Sequence, residues 1–153
     1  MSGDGAGACD PMSLALAEAR AAEERGETPI GAVVTRNGAV IARAGNETRA
    51  LADPTAHAEI LAIRRAAAER GSERLVDCDL YVTLEPCAMC AGAISHARIR
   101  RLYYAAYDPK GGAVDHGAHF FTQPTCHHAP EVYGGIRESE GAELLRAFFA
   151  GRR

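Results

Sequence analysis

The sequence predicts an α/β fold built on a mixed five-stranded sheet covered by helices on both faces, a three-layer α/β/α sandwich. Three observations carry that expectation: an apolar hairpin pattern in the first third, a strand–helix–strand pattern in the middle, and helical segments before, between and after them. A chain of 153 residues fits one domain. At that length roughly 70% of the extended surface can be buried, so a core needs no cross-links. Of the apolar residues 31 are Ala, which makes the core lean and favours helix.

Residues 1–9, with Gly3, Gly5 and Gly7 among small and polar neighbours, read as a flexible N-terminal tail ahead of one domain over 10–153. Asp10 and Pro11 form an N-cap and first-turn pair, and the Ala-rich stretch to Arg25, closed by Gly26, is a helix. Ile30–Thr35 and Ala39–Ala44 are strands of a hairpin, because Arg36-Asn37-Gly38 between them is a strong turn signal. Asp53-Pro54-Thr55 supplies the next helix start, Ala58–Arg70 its body and Gly71 its stop. Leu80–Leu84, Cys87–His96 and Ile99–Ala105 read as strand, helix and strand, a βαβ unit whose strands are parallel. From Tyr107 to Gly135 the pattern is irregular, broken by a short strand at Glu131–Tyr133. A long irregular stretch in a compact domain usually serves a site. Glu140–Phe149 is a closing amphipathic helix.

The net charge of −3 argues against a protein that coats nucleic acid by bulk charge, although a local basic patch such as Arg98, Arg100 and Arg101 remains open. No run of 18 apolar residues suggests a membrane span, and the acidic start without a hydrophobic stretch argues against a secretory signal. A cytoplasmic location is therefore expected. There the five cysteines, an odd number, are thiols or metal ligands rather than disulfides.

Two short motifs carry chemistry when taken together. His57-Ala58-Glu59 opens one predicted helix, and Pro86-Cys87-Ala88-Met89-Cys90 opens another directly after a strand, with Pro86 suited to its first turn. Helix N-termini lower thiol pKa and favour the thiolates that a soft metal needs. His57, Cys87 and Cys90 leave a tetrahedral zinc one open position, the mark of a catalytic rather than a structural site. Two thiolates neutralise the metal's charge, so the water it holds needs a separate base, and Glu59 is the candidate. Residues two apart do not share a helix face, which places His57 at or before the helical start.

This H-x-E and P-C-x-x-C pair is an established signature of zinc deaminases. The chain resembles them, and within them the bacterial tRNA adenosine deaminase (TadA) family. The resemblance is carried by Thr28 to Val33, Gly45-Asn46, Asp53 to Glu59 and Tyr81 to Ile94, with Phe148-Phe149 and Arg152-Arg153 at the end. It implies a cytidine deaminase-like fold over 10–153, one zinc per chain, and hydrolysis of the wobble adenosine in a tRNA anticodon loop to inosine and ammonia. A water activated by the zinc would add at C6 while Glu59 shuttles its protons. Asn46 would bind the flipped base, the Ala58 amide would meet the oxygen of that water, and Asp108, Phe149 and Arg152 would contact the anticodon stem-loop. By the same resemblance the protein is a homodimer.

The nearest rival is a deaminase of a free nucleobase, nucleoside or nucleotide with the same metal site. Two others differ in kind: a thiol redox protein using Cys87 and Cys90, which leaves His57 and Glu59 without purpose, and a closed zinc module of Cys87, Cys90, Cys126 and His128. Cys126-His127-His128 reads as loop packing, Cys9 and Cys78 as ordinary thiols, and Tyr103, Tyr104 and Tyr107 as sheet and interface packing.

Overall fold

The computed structural model describes residues 10–151; the expected tail at 1–9 and Arg152 lie outside the described residues. The chain runs α1 (Pro11–Glu24), β1 (Gly31–Arg36), β2 (Ala39–Gly45), α2 (Ala58–Arg70), β3 (Cys78–Leu84), α3 (Ala88–Ala97), β4 (Arg101–Ala106), a 3₁₀ turn (Phe120–Thr122), β5 (Glu131–Tyr133) and α4 (Glu138–Ala150). The sheet order is β2-β1-β3-β4-β5. β1 is antiparallel to both β2 and β3, whereas β3, β4 and β5 are parallel. Helices α1 and α4 cover one face around Met12, Leu16, Val33 and Leu144, and α2 and α3 cover the other around Leu61, Leu80, Ile94 and Leu102. The expected mixed sandwich is therefore present.

Local chemistry explains the elements. Asp10 caps α1 by accepting from the Ser13 amide at 3.0 Å. The hairpin turns on Asn37 and Gly38, whose positive φ values of 53° and 81° match the twist of the flanking strands, and Arg36 belongs to β1 rather than to the turn. Two expectations need correction. Asp53 does not cap α2: its carboxylate accepts from the Thr55 amide and hydroxyl at 2.9 and 2.7 Å, closing a turn two residues before the N-cap, His57. Pro86 lies outside the first turn of α3, because Cys87 is its N-cap.

The aromatic and basic clusters resolve into packing. Tyr81, Tyr103 and Tyr133 stack across β3, β4 and β5 with centroids 4.5 and 5.0 Å apart. Arg100 grips Asp79 through two hydrogen bonds of 3.0 and 2.9 Å, and Arg101 pairs with Glu131 at 3.1 Å. Irregular segments are pinned by buried carboxylates. Glu27 accepts from the amides of Arg49 and Ala50 at 3.1 and 2.8 Å, holding the loop between β2 and α2.

The parallel pair β3 and β4 sends Leu84 and Ala106 to one edge of the sheet, beside the N-terminus of α3. Because β1 runs the other way, its start reaches the same edge, where the Gly31 amide donates to Thr83 Oγ1 at 3.1 Å. Helix α1 crosses there at the closest range possible: a Cβ on Gly31 would sit 2.1 Å from the Ala15 carbonyl oxygen and 2.6 Å from the Ala19 nitrogen. Gly31→Ala is expected to cost about 1–3 kcal/mol through overpacking against helix backbone, read as a lowered midpoint in urea unfolding with an unchanged slope.

Candidate active site

At the edge where β3 and β4 end, two helix N-termini bring three metal-type donors together. His57 is the N-cap of α2 and Cys87 the N-cap of α3, both in extended conformation, and neither side chain makes a capping hydrogen bond. Their polar atoms are thus aimed away from their own helices. Cys90 lies one turn into α3, on the face that Cys87 also presents. Ligand bonds of about 2.1 Å to nitrogen and 2.3 Å to sulfur at a tetrahedral angle separate the two donors by roughly 3.6 Å. His57 Nδ1 lies 3.7 Å from Cys87 Sγ and 3.5 Å from Cys90 Sγ. The residues therefore fit zinc, and among the described residues this is the cluster able to hold a metal ion.

The charges agree with that fit. A hydrogen bond from Cys90, reinforced by His57, lowers the Cys87 thiol to about 4 despite partial burial. The Cys90 thiol is pushed up, first by Cys87 and then by burial, so the pair keeps a proton that a divalent cation would displace. The bond to Cys87 raises the His57 imidazole. Glu59, the second residue of α2 and only 4% exposed, is pushed up to about 7, chiefly by burial. It lines the same cleft as His57 and Cys87 without joining the donor cluster.

A cleft of about 620 Å³ opens onto this cluster, lined by His57, Cys87 and Glu59 together with Asp108 and Phe149. Ala58 is buried as the first helical residue of α2, where amide hydrogens lack intrahelical partners. Asp108 Oδ1 accepts from the amides of Lys110 and Gly111 at 3.2 and 3.0 Å. The last helix separates two aromatic roles: Phe148 is core at 6% exposure, while Phe149 is 57% exposed at the cleft. Asn46 ends up buried beside the cleft rather than lining it, with its Nδ2 donating to Thr48 Oγ1 at 3.3 Å. The Glu47 amide donates to the Ala56 carbonyl at 3.0 Å and holds that segment against the approach to His57.

Sequence reasoning missed Lys110, quoted Thr28 and Ile30 inside a motif without a role, and read Tyr107 as sheet and interface packing; all four line the cleft. It quoted Glu85 inside a motif without a role. Burial opposes a charge on Glu85, but amide hydrogen bonds from residues 108 to 115 and the His116 imidazole hold the carboxyl below its usual range. Its place directly before Pro86 and Cys87 was the one available signal. Cys126 and His128 lie outside the donor cluster. Cys126 Sγ donates to the His128 carbonyl at 3.2 Å, and the His128 ring is 2.8 Å from the Ile99 carbonyl. This is the packing expected of that stretch.

Residues 8–106 match the family model described as the cytidine and deoxycytidylate deaminase zinc-binding region. The chain is 67% identical to the tRNA-specific adenosine deaminase of Agrobacterium fabrum over 142 residues, 93% of either chain. It is similar to a solved structure from biochemical and structural studies of A-to-I editing by tRNA:A34 deaminases at the wobble position, with TM-score 0.87 and 67% identity over 88% of this chain and 98% of that one. A guanine deaminase from Nitrosomonas europaea is also similar, at TM-score 0.80 and 26% identity over 92% and 83% of the two chains.

The donor assignment makes a direct prediction. Freshly purified Cys90→Ser protein is expected to carry well under one zinc per chain by elemental analysis. Cys126→Ser protein is expected to retain about one, as a three-ligand open site requires.

Proposed function

The chain belongs to the cytidine and deoxycytidylate deaminase family of zinc enzymes, and from that premise we propose that it hydrolyses the wobble adenosine of a tRNA anticodon to inosine, releasing ammonia. The observation that carries the reading is the position of Glu59, a buried carboxylate beside a three-donor zinc site and open to the same cleft. When bound by His57, Cys87 and Cys90, zinc supplies an acidified water and leaves the protein to manage its protons. Glu59 accepts one proton of that water as its oxygen bonds to C6 and passes it to the ring nitrogen; it then takes the second proton from the new C6 hydroxyl and gives it to the amino group, which leaves as ammonia when the C6–N bond breaks. Water is consumed and ammonia leaves, with no redox step.

The assignment of substrate rests on the likeness to tRNA-specific deaminases; the free-base alternative is not favoured. Around the reacting base, the Ala58 amide holds the attacking oxygen, and Asn46 turns its side-chain amide from Thr48 into the cleft to hold the flipped adenine. Asp108 and Phe149 at the cleft, with Arg152 beyond the described residues, contact the anticodon loop. The exposed position of Phe149 at the cleft, with its ring edge-on to Phe148, supports stacking on a base. The unit over 10–153 acts as one deaminase domain. No helix among the described residues is long and apolar enough to cross a membrane. The likeness to tRNA-specific deaminases supports a cytoplasmic location.

A homodimer completes the reading. The outward face of α3 carries Ala88, Met89, Gly92 and Ala93, small and apolar residues that no other described element covers fully. Met89→Glu is expected to shift the sedimentation coefficient from dimer to monomer; an unchanged value would remove α3 from the interface.

The central experiment offers purified protein a tRNA with adenosine at the wobble position and, separately, free bases and nucleosides. Inosine in the anticodon, without ammonia from the small molecules, is expected. In the same assay Glu59→Ala should keep about one zinc per chain and lose about 10²–10⁴-fold in rate. Near-normal turnover by that variant would overturn the proton-carrier role.

A further inference from the structure

Directly before the metal-binding turn, Glu85 is fully buried, and both of its carboxylate oxygens are spent on the loop after β4. Oε1 accepts from the Asp108 amide at 2.9 Å and lies 2.8 Å from His116 Nδ1. Oε2 accepts from the amides of Val114, Asp115 and His116 at 3.2, 2.8 and 3.1 Å. Five donors from nine residues of one loop thus converge on a single carboxylate. The backbone around them is tied to the same spot, since the Ala113 amide donates to the Pro86 carbonyl at 2.9 Å and the Glu85 amide to the Ala106 carbonyl at 2.8 Å.

The loop is also wrapped as tightly as backbone allows. A Cβ on Gly112 would lie 2.5 Å from Glu85 Cδ and 2.6 Å from the Asp108 carbonyl oxygen. Such a loop has no ladder or helix of its own to hold it, so its shape is the shape of the carboxylate's donor shell. Asp108, Lys110 and Gly111, which line the cleft, stand on the first part of this loop.

We infer that Glu85 is a positioning residue for the RNA substrate: its carboxylate fixes the 108–116 loop so that Asp108 and Lys110 face the anticodon at a set distance from the zinc site. The inference rests on the proposed role of Asp108. Glu85 touches neither the reacting base nor the metal; it acts through the loop. Because it is joined through Pro86 to Cys87, it sets the RNA-contacting loop and the metal donors on one short rigid segment.

Glutamine at this position keeps the shape but presents an NH₂ group to donors that need an acceptor, leaving buried amides unpaired. With an anticodon stem-loop carrying adenosine at the wobble position, Glu85→Gln is expected to raise KM and the dissociation constant about tenfold, while kcat changes less than threefold and zinc content stays near one per chain. Gly112→Ala, whose Cβ would press on the carboxylate and the Asp108 carbonyl and so displace the same loop while leaving glutamate at position 85, should shift KM in the same direction. Glu85→Gln should have little further effect in an Asp108→Ala background, because the interaction it serves is already gone.

The outcomes separate the two readings. If Asp108→Ala leaves KM unchanged, the role of Asp108 is wrong and this inference falls with it. If Asp108→Ala raises KM while Glu85→Gln and Gly112→Ala do not, Asp108 stands and the positioning role of Glu85 is overturned. A Glu85→Gln protein that loses thermal stability or zinc at unchanged KM would show a purely structural residue, which also overturns it.

Discussion

Everything in this molecule depends on two helix N-termini meeting at one point. An N-cap side chain ordinarily satisfies an amide of its own helix, worth about 1 kcal/mol. His57 and Cys87 both forgo that contact. Their helices can do without it because they are packed along their length against the sheet, where Leu61, Ala62, Ala66 and Ile94 are buried. In return the donors face each other across less than 4 Å, in the positive field of two helix ends where thiolates are favoured.

The sheet order makes that meeting possible. A right-handed parallel crossover through α3 must deliver the start of the helix at the carboxyl edge of β3, which is where ligand crevices of such sheets form. The antiparallel β1 adds its own start to the same edge, and α2 follows the hairpin across the opposite face from α1. The glycines at positions 31 and 45 serve this arrangement by letting α1 rest directly on backbone, as a Cβ on Gly45 would be 2.8 Å from the Glu18 carbonyl oxygen.

Regular elements and the metal donors were legible in the sequence because both rest on short-range rules: Asn37-Gly38 for the hairpin, paired apolar runs for the parallel unit, and Cys-x-x-Cys on one helix face. Errors fell at boundaries. Asp53 and Pro86 carry helix-start chemistry, but the true N-caps are set by where the metal donors must stand. The division between Phe148 and Phe149 followed from the family resemblance and not from periodicity, because adjacent aromatics on a helix differ only in which way the helix is rotated against the sheet. The loop from Tyr107 onward has no periodic pattern, and its order comes from Glu85 more than twenty residues earlier in sequence, because no periodicity encodes a shell of amides around a distant carboxylate.

The same shell bears on where this chain can tolerate a change in length. The amides of Asp108, Val114, Asp115 and His116 are set against Glu85 at fixed spacing, so an added or deleted residue between 108 and 116 would put the wrong amide at the carboxylate. From Thr122 to Cys126 the backbone bonds are local turns, such as the Gln123 amide to Phe120 and the Cys126 amide to Gln123. Insertions are thus admissible at the distal tip and not at the base of one continuous loop. Two stretches of one loop, with no regular structure beyond a single 3₁₀ turn, are under opposite constraints.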